Sequence, residues 1–285
     1  MSAPRTQYLV FTGLDGFILN PEKPRLQDVQ PALNLLHTLK IPLIITTDRT
    51  PEEVFVVLAS INQGNPFIAE SGGVLFIPED ALKVQYTFQK TVRGYRVIQF
   101  GIERDVLLQK VAEIREKTGI GITALTEVHP DKSRREKDAA TRKSLTVSRM
   151  QSALHREYSA PVILEGDAKT SEALSEALEN MNMRLNQRED YFIVTGDYDK
   201  GTAVRFLVQL YREEFPDKEI KTIGLGENYL DTPMLHAVDQ PVLIRNLNGK
   251  FDSQVGRRGL KFTCNPGPVG WNDAVISLLS EGNET

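Results

Sequence analysis

Four short stretches of this 285-residue chain set chemistry-bearing residues directly after apolar runs. Asp15 lies in GLDG (13–16) after YLVFT (8–12). Thr47 and Arg49 lie in TTDRT (46–50) after IPLII (41–45). Lys200 lies in GDYDKG (196–201) after YFIVT (191–195), and Glu227 and Asp231 in GENYLD (226–231) after IKTIGL (220–225). If those runs are parallel strands, all four stretches fall at carboxyl ends, where open α/β sheets form their sites. Carboxylates there can move protons or hold cations, and an ammonium or hydroxyl can hold an anion. Other chemistries fit less well. The four histidines (His37, His129, His155, His236) show no metal-ligand spacing. The single Cys264 can form neither an internal disulfide nor a multi-cysteine metal site, and no partner base adjoins it. GLG at 224–226 is too short for a dinucleotide fingerprint.

The elements that must position these residues follow from periodicity. Residues 26–40 place Val29, Leu33, Leu36 and Leu39 at helical spacing. The segment TPEEV reads as a helix start, with Thr50 as cap, Pro51 at the first position and acids in the first turn. The first 60 residues thus alternate strand, helix, strand, helix, which implies βαβ units and a parallel sheet. The rhythm returns late, with a strand at 191–195, a helix at 201–214, a strand at 220–225, a helix at PMLHAV (233–238) and a strand at PVLI (241–244). Between them lie a helix-period stretch at 104–117 and a polar, charge-rich stretch at 126–144. The expected organisation is an interrupted α/β core, about 1–83 and 190–285, with an α/β domain inserted at 84–189.

Hydrophobic residues at 40% and charged residues at 25% exclude a disordered chain, a collagen-like repeat and a disulfide miniprotein. The net charge of −4 does not suggest a nucleic-acid partner. No apolar stretch approaches the roughly 18 residues of a membrane span, and MSAPRTQY (1–8) lacks the apolar run of a secretory signal, so a soluble cytoplasmic protein is expected. The inserted stretch carries 18 Lys+Arg against 15 Asp+Glu, or +3, and the remainder 16 against 23, or −7. A basic insert with an acidic core suits an anionic small-molecule ligand. The 132–143 cluster reads equally well as a solvated face, because Asp131, Glu136 and Asp138 interleave with its lysines and arginines.

The order of the four stretches resembles the haloacid dehalogenase superfamily in its large-cap form. IAESGG (68–73), HREYSAP (155–161), TIGLGENYLDTPML (222–235) and GPVGW (267–271) narrow the resemblance to mannosyl-3-phosphoglycerate phosphatases. The resemblance implies a Rossmannoid core with a parallel sheet and an inserted α/β cap. It also implies phosphoryl transfer through a phosphoaspartate, with an acid/base carboxylate two residues on, a Thr and a Lys on the phosphoryl oxygens, and Mg²⁺ held by carboxylates. Carried onto this sequence, Asp15, Thr47 and Lys200 become catalytic candidates. Asp15, Glu227 and Asp231 become metal candidates, and Arg49 and Arg156 candidates for binding the substrate anion. Each has a plainer reading beside it: a strand-end cap for Thr47, a solvated helix start for Lys200, a surface salt bridge for Arg49, and a pair with Glu157 or a neighbour for Arg156.

The sequence departs from the family pattern at the position that matters most. The family's D-L-D-G-T is here Gly13-Leu14-Asp15-Gly16-Phe17, so the nucleophile position holds a glycine. In the last motif Glu227 replaces an aspartate and Leu230 an asparagine. The expectation is an impaired or inactive phosphatase homologue with weak or lost Mg²⁺ binding, acting by binding a phosphorylated small molecule or a protein. The alternative is a working Mg²⁺-dependent phosphatase on a sugar phosphate or glycosyl-3-phosphoglycerate.

Overall fold

The computed structural model describes residues 5–14, 26–125, 155–188 and 191–281. Asp15, Gly16, Phe17, His129 and the 132–143 cluster lie outside the described residues.

The apolar runs form strands because their β-branched and aromatic residues are buried on both faces, as parallel sheets require. In β1 (Arg5–Thr12), Leu9, Val10 and Phe11 are fully buried, and all four residues of β2 (Leu43–Thr46) are buried. A nine-stranded sheet adds β3 (Phe67–Ala69), β4 (Val74–Pro78), β5 (Lys90–Val92), β6 (Tyr95–Gln99), β11 (Lys218–Gly226), β12 (Gln240–Arg245) and β13 (Lys261–Pro266). Its order is β13-β12-β11-β1-β2-β3-β4-β6-β5. Pairing is parallel from β13 to β3 and antiparallel from β3 to β5. The carboxyl ends of β2, β1 and β11 are therefore neighbours, and Thr47 and Arg49 follow β2 while Glu227 and Asp231 follow β11; Lys200 instead opens the helix after the strand Phe192–Gly196, which belongs to a separate sheet.

Helix α1 (Gln30–Thr38) begins with proline in its first turn and buries Ala32, Leu33 and Leu36. It packs with α7 (Gly267–Glu281) around Trp271 and Val275. The helix expected over 26–40 is shorter than its periodicity suggested. A 3-10 turn occupies Leu26–Asp28, and Lys40 adopts a left-handed φ of 54°, which leaves Leu39 past the helix end and exposed. Helix α2 (Pro51–Ser60) opens at Pro51, as its sequence suggests. Helix α5 (Lys200–Glu214) starts after the cap Asp199, whose carboxylate accepts from the Thr202 amide at 2.8 Å. Helix α6 is a single turn (Thr232–Leu235), shorter than the expected PMLHAV helix, because the chain must enter β12 by residue 240.

A second, four-stranded sheet has the order β7-β8-β10-β9, from β7 (Gly121–Ala124), β8 (Ala160–Glu165), β9 (Met183–Gln187) and β10 (Phe192–Gly196), all antiparallel. Helices α3 (Arg104–Thr118) and α4 (Ala168–Glu179) cover it through Leu107, Val111, Ile114, Leu174 and Leu178. Gly119, at φ 72°, ends α3 in the left-handed conformation that glycine adopts without strain. The chain divides into one unit of residues 1–49, 53–99 and 199–285 and another of 50–52 and 100–198. Pairing explains where this differs from the sequence reading: β5 and β6, expected in the insert, extend the large sheet through β4, and β10, expected in the core, lies between β8 and β9.

Candidate functional site

At the end of β1, Thr12 is fully buried; its hydroxyl accepts from the indole N–H of Trp271 at 3.0 Å and donates to the Gly13 carbonyl at 3.0 Å. The Gly13 amide donates to the Leu225 carbonyl at 3.2 Å. Residue 13 is thus tied to β11 through its amide and to the Thr12 hydroxyl through its carbonyl, and it offers the site no side chain. Trp271 sits where it does because Gly270 packs on the chain before α7: a β-carbon there would lie 2.0 Å from the Asn265 carbonyl oxygen.

At the end of β2, Thr47 is buried. Its amide donates to the Ile68 carbonyl at 2.9 Å, its carbonyl accepts from Ser71 at 3.0 Å, and its hydroxyl oxygen accepts from the Arg49 amide at 3.2 Å. The Arg49 guanidinium lies 3.6 Å from Glu53, with both side chains about one-third exposed. An exposed i,i+4 pair of this kind contributes little to stability. The Arg49 carbonyl accepts from the amide of Glu70, a fully buried carboxylate that follows β3. Sequence reasoning noticed IAESGG but gave Glu70 no role. The signal was the one used elsewhere, a polar residue directly after an apolar strand.

The closest ionic contact of this region joins two of the predicted residues. Lys200 Nζ lies 2.7 Å from Asp231 Oδ1, both side chains at least 94% withdrawn from solvent. Three close approaches fix the pair. A β-carbon on Gly72, at φ 99°, would meet the Asp199 carbonyl oxygen at 2.2 Å; one on Gly201 would meet the Pro233 carbonyl oxygen at 2.3 Å; one on Gly226 would meet Asp231 Cβ at 2.6 Å. Asp231 Oδ2 accepts from the Glu227 amide at 2.9 Å and the Asn228 amide at 3.4 Å, while Asn228 caps the following turn by accepting from the Leu230 amide at 2.9 Å. The ammonium has three N–H donors and, among the described residues, gives one to Asp231, which leaves two for an anion.

Of the metal candidates, Asp15 lies outside the described residues, and Asp231 already engages an ammonium and two amides. The described residues assemble no group of three or more His, Cys, Asp or Glu suited to a cation. Mg²⁺ takes one or two protein carboxylates and completes its octahedron with water and substrate oxygens; Glu227 and Asp231 are the described candidates for it. Arg156 belongs to the other unit, where it is buried and donates to the Ser159 hydroxyl at 2.9 Å. His155 and Cys264 are exposed.

The structure therefore joins Lys200 to Asp231, sets Gly13 against β11, and places Thr47 on the neighbouring strand end. The chain is similar over 277 residues, at 33% identity and covering 97% of it and 99% of the relative, to a glucosyl-3-phosphoglycerate/mannosyl-3-phosphoglycerate phosphatase of Methanococcoides burtonii. A protein of the same description from Persephonella marina is 29% identical, covering 96% of this chain and 97% of the relative. Among solved structures, a haloacid dehalogenase-like hydrolase from B. subtilis superposes with a TM-score of 0.64 at 15% identity, over 95% of this chain and 99% of the other. That likeness shows the fold: an α/β core of haloacid dehalogenase type with an inserted α/β unit. Residues 10–252 match the family model for haloacid dehalogenase-like hydrolases, and the chain belongs to that family.

Proposed function

We propose that this protein binds a phosphorylated small molecule at the carboxyl ends of β1, β2 and β11, in the manner of a glycosyl-3-phosphoglycerate phosphatase, and hydrolyses it weakly or not at all. The observation that carries this reading is the glycine at position 13. It is hydrogen-bonded to Leu225, one residue before the loop that bears Asp231, and it has no group to attack phosphorus. Lys200 supplies charge and donors for the phosphoryl oxygens, and Thr47 borders them from β2. Asp15 is the remaining acid/base group in the sequence, and water activated by it would forgo the covalent route. Mg²⁺ binding is weak or lost. Arg49 is the candidate for the rest of the ligand. The single exposed Cys264 suits a reducing, cytoplasmic setting, and no described helix is long and apolar enough to cross a membrane.

A second reading, an active phosphatase with an altered site, is favoured by the intact Lys200–Asp231 pair. Phosphate release from a panel of sugar phosphates and glycosyl-3-phosphoglycerates, with Mg²⁺ present, decides between the two. Under the first reading the natural chain is nearly silent and Gly13→Asp, or Gly13→Asp with Phe17→Thr, gains activity. Ordinary turnover by the natural chain, abolished by Asp15→Asn, establishes the second.

A further inference from the structure

Strands β2 and β3 are parallel neighbours, so the segment that follows β3 stands next to the Thr47 loop. That segment turns through three consecutive left-handed residues, Glu70 at φ 47°, Ser71 at 62° and Gly72 at 99°. It is tied to both residues of the phosphoryl site. The Ser71 amide donates to the Thr47 carbonyl at 3.0 Å, and the Glu70 amide to the Arg49 carbonyl at 3.0 Å. On its other side Gly72 packs so closely on the head of α5 that a β-carbon there would lie 2.7 Å from the Lys200 amide nitrogen. Ser71 is thus bonded to Thr47 and adjoins the residue that packs on Lys200. The fold itself gives no reason for a serine at this position. A left-handed φ carries a cost for a side chain that glycine avoids, yet Ser71 stands directly before two glycines. The residue is half-buried, and among the described residues its hydroxyl has no hydrogen-bond partner. The conformational cost is therefore offset by no side-chain hydrogen bond within the described structure, and the hydroxyl keeps its donor.

We propose that the Ser71 hydroxyl donates to a phosphoryl oxygen of the ligand, as a third contact beside Thr47 and Lys200. The proposal rests on the phosphoryl-binding reading of those two residues. It extends the anion site from the ends of β1, β2 and β11 to the end of β3. A hydroxyl donating to an ionised oxygen forms a short, charge-assisted bond, and the left-handed turn is what presents it between the two.

Calorimetry with inorganic phosphate on the full chain, paired with urea unfolding, tests the assignment. Ser71→Gly removes the hydroxyl at a position whose backbone glycine adopts freely, so the unfolding midpoint should hold or rise. Phosphate affinity should nevertheless fall about tenfold, the effect of one hydrogen bond to a charged group. Ser71→Ala, which keeps the β-carbon and its left-handed cost, should lose affinity by a similar factor. Ser71→Asn, which tolerates the left-handed conformation and keeps a donor, should retain part of the affinity. Lys200→Gln should weaken phosphate binding in the natural chain and in each variant. Phosphate binding by Ser71→Gly within about twofold of the natural chain overturns the Ser71 assignment alone. A loss in Ser71→Ala that Ser71→Gly does not share does the same, because it traces the effect to the backbone. Failure of the natural chain to bind phosphate, or binding that Lys200→Gln leaves unchanged, overturns the phosphoryl-binding reading and Ser71 with it.

Discussion

The Nζ of Lys200 stands 2.7 Å from Oδ1 of Asp231, in a pair almost wholly removed from water and joined across 31 positions of sequence. Two charges so buried gain from each other roughly what they lose by leaving solvent. The pair is therefore best understood as holding a cation in place at the head of α5, with limited net stabilisation of its own.

Breaking the pair from one side should be expensive. Asp231→Asn or Lys200→Met leaves a buried charge unmatched and should cost about 3–5 kcal/mol. The double variant Lys200→Met/Asp231→Asn should cost clearly less than the two single losses added together. Urea unfolding of the three variants tests this, and simple additivity would rule out the coupling.

Gly72 is predicted to tolerate no side chain. Its φ of 99° and the 2.2 Å approach to the Asp199 carbonyl oxygen both act against Gly72→Ala. The expected destabilisation is about 2–4 kcal/mol, combining backbone strain with overpacking. Because Asp199 precedes Lys200, phosphate affinity should fall as well. A variant with unchanged melting temperature and unchanged phosphate binding would contradict the packing described.

Trp271→Phe keeps most of the buried bulk but removes the indole donor to Thr12. Leaving the Thr12 hydroxyl without that partner should cost about 1–3 kcal/mol, with Trp271→Ala nearer 3–5 kcal/mol from the cavity. Denaturant midpoints distinguish the two. Equal losses would mean that packing alone fixes the end of β1.

Alkaline pH should weaken the fold through Tyr211. Burial first, and the negative charge of Glu214 second, push its hydroxyl pKa well above the ordinary value of 10.0. The native state thus keeps the neutral form, whereas the unfolded chain ionises near the ordinary value. The stabilisation is fully present below about pH 10 and is lost as the pH rises above it, at roughly 1.4 kcal/mol per pH unit. Tyr211→Phe should flatten that decline in urea unfolding measured from pH 9 to 11. An identical decline in the variant would remove Tyr211 as its cause.

Sequence alone determined the parallel core, because runs such as LVF (9–11) and LII (43–45) are apolar at every position and can be satisfied only by burial on both faces. It also determined that residue 13 is a glycine, a fact no folding can alter, and it located Thr47, Lys200 and Asp231 at strand and helix ends through the punctuation that follows each run. Tertiary structure decided what local patterns leave open. The period of β10 is the same whether it joins the large sheet or lies between β8 and β9, so only packing against Leu107, Ile122 and Leu174 assigns it. Glu70 looked like an ordinary loop acid until the left-handed turn after β3 buried it.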